Sequence, residues 1–203
     1  MNFVRIILFR ALLVVISVIV FSSNSGEVFA EDWTGNFSIF KGSKGLDKGD
    51  WEPVEGQSEL GLQMDFRKDG WPINGMIEIL YSEEDKLTSA GGLDVEILEI
   101  NAGVRKILVA SLGEDVLPDF LEIHPFVGGG LSLTRAEMTR INVVRETEDD
   151  YGFGIWLDVG CYLTIFEAFN VGLALKYTDV DLDLFGTRSA GGTHFGLTIG
   201  FHY

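Results

Sequence analysis

Phe195-Gly196-Leu197-Thr198-Ile199-Gly200-Phe201-His202-Tyr203 ends the chain on strict alternation. Phe195, Leu197, Ile199, Phe201 and Tyr203 share one side of an extended strand. Gly196, Thr198, Gly200 and His202 share the other. An α-helix would put Phe195 and Phe201 on different sides, so the period of two predicts a β-strand. One side is wholly apolar, and the other is small or polar.

The same pattern recurs upstream. Trp33, Phe37 and Ile39 open a first strand. Leu60, Leu62, Met64 and Phe66 alternate with Glu59, Gly61, Gln63 and Asp65. Ile73, Ile77, Ile79 and Tyr81 alternate with Asn74, Met76, Glu78 and Leu80. Ile100, Ala102 and Val104 alternate with Glu99, Asn101, Gly103 and Arg105. Val127, Leu131 and Leu133 alternate with Phe126, Gly128, Gly130 and Ser132. Phe153 to Leu163 and Phe169 to Tyr177 complete the set. Eight strands, an even number, predict an all-β, eight-stranded antiparallel up-and-down barrel. Val95 and Ile97 have the opposite parity to Leu98 and Ile100, which predicts a β-bulge there.

Two barrels fit this alternation. A soluble one buries its apolar face, whereas a transmembrane one turns that face to lipid. The apolar sides carry no charge, and their ends carry aromatics. Trp33, Phe66, Trp71, Phe169 and Tyr203 fall at the short-turn end, and Tyr81, Phe153, Tyr177 and Phe195 at the other. Such paired girdles fit the two interfaces of a bilayer. Glycine crowds the opposite side, which suits a narrow interior. A transmembrane barrel is therefore expected.

The chain's start agrees with export. Arg5 and Arg10 precede the apolar run Ala11 to Phe21, followed by a polar stretch and Val28-Phe29-Ala30. That order predicts a cleaved signal peptide over 1–30 and a barrel domain over 31–203. The mature part then keeps 13 basic and 30 acidic side chains. Nucleic acid is a poor partner for such a charge. Cys161 is the one cysteine, so neither an intrachain disulfide nor a cysteine zinc cluster is available.

The connections divide in two. Arg67 to Gly70 and Phe166 to Ala168 read as short turns. Gly42 to Gln57, Ser82 to Gly92, Thr134 to Asp150 and Thr178 to Gly191 read as long loops, each with an acidic cluster. The link Ser111 to Asp119 is longer than a turn needs. Hard divalent cations favour oxygen-rich loops, but Asp179-x-Asp181-x-Asp183 lacks the glycine and distal glutamate of a calcium-binding EF-hand loop. No metal or cofactor site is predicted.

Inside the barrel the alternation places Glu59, Asp65, Glu78, Glu99, Arg105, Asp158 and Lys176. Charges in a narrow lumen are costly unless paired, so these seven are expected to form a network that plugs it. A gated conduit for small solutes is the competing expectation. The histidines are His124, His194 and His202, and none sits in a His-x-Ser pair. Ser189 and Thr193 near His194 give the weak alternative of a nucleophile and base.

Two segments carry a family resemblance. Phe195-x-Leu197-x-Ile199-x-Phe201-x-Tyr203 resembles the C-terminal signal read by the barrel assembly machinery. Pro125-Phe126-Val127-Gly128-Gly129-Gly130-Leu131 is similar to the glycine-rich strand of small barrels related to outer membrane protein A and the opacity-type porins. The resemblance implies an integral protein of the outer membrane in a Gram-negative cell envelope, porin-like in class, with outer-membrane lipid and lipopolysaccharide around it. It implies a structural or surface-interaction role. Lipid A deacylases share the architecture, but their His-x-Ser pair has no match here.

Overall fold

The computed structural model describes residues 33–88, 91–108, 118, 120–142 and 144–203. The expected signal segment 1–30 and most of the link 111–119 lie outside them. The chain divides into the units Met1–Trp33 and Thr34–Tyr203, and the second is the barrel.

Its strands are β1 (Trp33–Gly45), β2 (Gly56–Lys68), β3 (Asn74–Thr88), β4 (Gly91–Ile107), β5 (Leu121–Ile141), β6 (Arg145–Ile165), β7 (Phe169–Asp183), the short β8 (Thr187–Ser189) and β9 (Gly192–His202). One short helix, α1 (Lys48–Trp51), lies in the first loop. Each of β1 to β7 pairs antiparallel with its neighbour in sequence, and β9 joins β7 to β1. The eight long strands thus form a closed ring with no free edge along the barrel wall, which is how a sheet satisfies its backbone in hydrocarbon. β8 pairs only with the end of β7.

The apolar sides face outward. Phe153 is 81 % exposed, Leu131 69 % and Ile199 63 %, while Glu59, Glu78 and Asp158 on the alternate positions are each 1 % exposed. This inversion of the usual soluble pattern is the arrangement of a barrel whose solvent is lipid. On β7 the stripe runs from Phe169 to Tyr177 and on β9 from Phe195 to Tyr203. Eight residues at about 3.3 Å each and a tilt near 40° span about 20 Å along the membrane normal, comparable with the ~25 Å apolar band of such barrels.

Three expectations are corrected. First, β4 has no bulge. Its register runs one to one against β3 from Thr88↔Gly91 to Asn74↔Arg105, and against β5 from Gly92↔Ile141 to Ile107↔Phe126. Val95 and Ile97 instead continue the inward side of Glu99, and are 0 % and 1 % exposed. The loop end of the interior is filled by an apolar cluster, so an apolar residue there marks the lumen rather than lipid.

Second, three of the four long loops are mainly strand. β3 and β4 run on to Thr88 and Gly91, β5 and β6 to Ile141 and Arg145, and β7 to Asp183. The 21 residues of β5 or β6 reach about 70 Å at 3.3 Å per residue, where roughly ten span a bilayer. A four-stranded sheet, β3 to β6, therefore projects past the rim. The extension of β7 beside it was legible as alternation: Asp179, Asp181 and Asp183 point out, while Val180 and Leu182 are buried between them.

Third, Tyr81 is not an open girdle residue. It is 7 % exposed, and its hydroxyl donates to Glu83 Oε2 at 2.7 Å. The other eight girdle aromatics include Phe169, Tyr177 and Phe195, each more than half exposed.

Candidate functional site

The interior is the densest concentration of chemistry in the molecule, and register explains how it assembles. One row of directly opposed residues runs Lys44 (β1), His194 (β9), Lys176 (β7), Asp158 (β6), Gly128 (β5) and Arg105 (β4). Glu59 and Asp65 on β2, Glu78 on β3 and Glu99 on β4 line the other wall. A mostly basic wall thus faces an acidic one across the lumen.

They meet in three layers. Nearest the loop end, the Lys44 ammonium pairs with Glu99 and donates to the Ala190 carbonyl at 2.7 Å. In the same layer His194 Nδ1 lies 2.8 Å from Glu59 Oε1, and His194 Nε2 lies 2.9 Å from Thr178 Oγ1. In the middle, Lys176 pairs with Glu78, whose Oε2 also accepts from Asn101 Nδ2 at 2.9 Å. Lys176 Nζ lies 5.0 Å from the centre of the Trp156 ring. Nearest the turn end, Arg105 pairs with Asp158 and lies 3.8 Å from Asp65. Asp65 accepts from Asn74 Nδ2 at 2.7 Å and Asn36 Nδ2 at 3.0 Å. All seven sequence-predicted charges lie within these layers. None pairs with its neighbour in sequence: Lys44–Glu99 and Lys176–Glu78 cross the lumen, and Arg105–Asp158 reaches over Gly128 from β4 to β6.

Glycine makes room for the pairs. A Cβ on Gly128 would stand 2.4 Å from Asp158 Oδ1, and one on Gly103 would stand 2.3 Å from the Gly129 carbonyl and 2.8 Å from the Trp156 ring. Gly103 and Gly128 thus make the bare wall against which the Trp156 ring and Asp158 fit.

Two apolar or open regions flank the network. At the loop end Leu46, Trp51, Val54, Val95, Ile97, Ala136, Met138, Val180, Leu182, Leu184 and Ala190 form one buried cluster. Trp51, from α1, is fully buried, and its indole N–H donates to the Ser189 carbonyl at 2.6 Å. This cluster caps the outer mouth. At the turn end lies a cavity of about 370 Å³ lined by residues including Arg67, Asn74, Glu122, His124, Tyr162 and His202.

Lys44 and the cap are what sequence reading missed. Lys44 sits on the inward parity of Asn36, Phe40 and Gly42, two residues beyond the point where the loop was placed. Carrying the alternation onward would have found it. Trp51 and Val54 offered no such signal, because a loop has no parity.

His194 lies in the lumen, while His124 and His202 line the cavity at the turn end. Thr178, His194 and Glu59 line up as hydroxyl, imidazole and carboxylate, but are 0 %, 1 % and 1 % exposed. Ser189 serves α1 through its backbone, and Thr193 is exposed on the other face from His194. His124 stacks on Tyr162 at 5.1 Å, and His202 Nδ1 lies 3.1 Å from Asn36 Oδ1. Among the described residues, no group of three or more His, Cys, Asp or Glu side chains is placed to hold a metal ion. No described helix is long and apolar enough to cross a membrane.

A closed antiparallel ring of eight strands, apolar outside and polar inside, has the fold of the small outer-membrane β-barrels. Comparison with solved structures agrees. The attachment invasion locus protein Ail of Yersinia pestis, in complex with the heparin analogue sucrose octasulfate, superposes with a TM-score of 0.56 at 9 % identity, over 85 % of this chain and 99 % of that one. Neisserial surface protein A superposes with a TM-score of 0.54 at 10 % identity, over 84 % of this chain and 95 % of that one. At such identity the likeness is one of fold. No family model and no curated protein matches the sequence.

Proposed function

We propose that residues 31–203 form a closed barrel in a bacterial outer membrane that works through its external surface, after residues 1–30 are cleaved on export. The observation that carries this reading is the double closure of the lumen. Lys44–Glu99 and Lys176–Glu78 join opposite walls, Arg105–Asp158 fills the turn-side end below them, and an apolar cap seals the outer mouth. Solute passage needs a continuous wet path, and the paired charges and the apolar cap stand across it. Structure is instead invested in the projecting sheet and the loops beside it. Residues 46–55, 83–96, 135–150 and 179–190 hold seventeen carboxylates and six basic side chains.

That crown suits cations. Ail was crystallised with a sulfated heparin analogue, and a surface as acidic as this one would repel such a ligand. A basic partner surface fits it, as do divalent cations bridging to the phosphates of neighbouring lipopolysaccharide. The alternating C-terminal residues Phe195 to Tyr203 serve the barrel assembly machinery. The lumen charge network serves closure, and the sealed Thr178–His194–Glu59 alignment favours a non-enzymatic role.

The test is conductance of the purified protein in planar bilayers. Silence across many insertions is expected at neutral pH. Regular steps of constant size would replace this reading with that of a narrow conduit. Fractionation with a heat-modifiability gel tests the location: the unboiled barrel should migrate differently and be found with the outer membrane.

A further inference from the structure

Three carboxylates at the outer mouth hold backbone. Asp50 Oδ2 accepts from the Ser189 N–H at 3.0 Å. Asp150 Oδ2 accepts from the Asp183 N–H at 2.8 Å, and Glu148 Oε2 accepts from the Phe185 N–H at 2.6 Å. The first comes from α1 and the other two from β6, so they grip the segment 183–189 from two sides. Glu148 and Asp150 have the parity of Gly152, Gly154 and Trp156, the side of β6 that turns inward. The gripped segment carries a tight turn at Gly186 (φ 109°).

What the segment covers gives the grip its consequence. Leu184 and Ala190 are fully buried in the apolar cap. The Ser189 carbonyl takes the Trp51 indole, and the Ala190 carbonyl takes the Lys44 ammonium at the top of the lumen. If the segment lifts, the cap opens and Lys44 loses a bond.

The charged groups around the three carboxylates are these. Lys48 and Glu52 flank Asp50 in the first loop. The Arg188 guanidinium lies 5.8 Å from the Trp51 ring centre, and its Nε donates to the Leu184 carbonyl at 2.9 Å. On β5, Arg140 lies over the Phe185 ring at 4.0 Å. Glu146 and Asp149 share β6, and Asp149 is bonded to Arg135. Asp181 and Asp183 point outward from β7. Among the described residues no ion pair links these cations to Asp50, Glu148 or Asp150.

We propose that Asp50, Glu148 and Asp150 form an acid-released clasp: ionised, they pin 183–189 over the outer mouth, and protonated, they let it go. A carboxylate is the stronger acceptor for an N–H, and protonation removes that charge assistance. The sign follows for Asp150. The Asp183 and Tyr151 backbone N–H groups hold its carboxyl below the ordinary aspartate range. A depressed value means that the bond is intact at neutral pH and fails as pH falls below that of a free aspartate, about 3.9. The inference rests on the capped mouth of the proposed closed barrel, so the barrel strands serve as the internal control.

The experiment is hydrogen–deuterium exchange of the folded barrel in phospholipid vesicles from pH 7 to pH 2.5, with rates corrected for intrinsic exchange. Amides of 183–190 should lose at least tenfold protection at the acid end, while amides of 154–165 and 169–178 keep theirs. Asp50→Asn with Glu148→Gln and Asp150→Asn should open 183–190 at pH 7 and flatten its pH dependence, again with the barrel strands unchanged. Three results would overturn the clasp: wild-type protection of 183–190 that does not vary with pH, a triple variant as protected as the wild type, or loss of the barrel amides at the same pH. Conductance of the wild type at neutral pH would strike at the closed-barrel reading and leave the exchange result to stand or fall alone.

Discussion

Replacing Lys44 with methionine should be among the most damaging single changes in the barrel. Lys44 is 1 % exposed, and its ammonium holds both Glu99 and the Ala190 carbonyl. The methionine stem refills most of the volume, so the cost is electrostatic. Glu99, also 1 % exposed, would lose its one close cation and keep a long bond to Thr178 (3.3 Å), His194 Nε2 at 3.7 Å and the neighbouring Asn101 amide. Orphaning one member of a buried ion pair costs about 3–5 kcal/mol. The pair itself need not be worth that much, because both charges are desolvated by folding. Lys44→Met with Glu99→Gln should therefore recover more than half of the loss. The assay is reversible urea unfolding in vesicles, followed by tryptophan fluorescence and by the gel shift of the folded form. A loss below about 1 kcal/mol for the single variant, or a double variant that is worse than the single, would refute the cross-lumen pairing.

Other outcomes follow from the same geometry. Gly128→Ala places a Cβ within 2.4 Å of Asp158 Oδ1 and should cost about 1–3 kcal/mol by overpacking, with Ala at the open position Gly56 as a neutral control in the same urea assay. Leu173→Arg puts a charge on the lipid face of β7, where Leu173 is 50 % exposed; a loss of about 2–4 kcal/mol in vesicles is expected, and a neutral result would mean that this face does not meet hydrocarbon. Ile97→Ala hollows the outer cap and should cost about 2–5 kcal/mol, whereas a residue at a bulge on the lipid face would lose far less.

Strand existence and sidedness were written locally. Phe195 to Tyr203, Phe169 to Tyr177 and Leu60 to Phe66 each show which residues share a face, because a strand's side chains alternate whatever it pairs with. The seven lumen charges followed from that rule. Where the rule was stopped too early, the reading failed: Lys44 lay two residues past the assigned start of the first loop at Gly42, and the projecting sheet was taken for loops because its acidic residues looked like loop residues. Val95 and Ile97 failed differently. Apolar character was read as facing lipid, but the lumen itself becomes apolar under the cap.

The amino-acid order alone therefore determined that the chain alternates, how many walls it can build, and that its uncharged side suits lipid. Only the closed ring decided which carboxylate meets which partner. Glu99 finds Lys44, Glu78 finds Lys176 and Glu59 finds His194 across an interior whose stagger and tilt set the height at which each row arrives. That offset is a property of eight strands joined edge to edge. Alternation is a relation between residues two apart, and no such relation carries the distance across a cylinder.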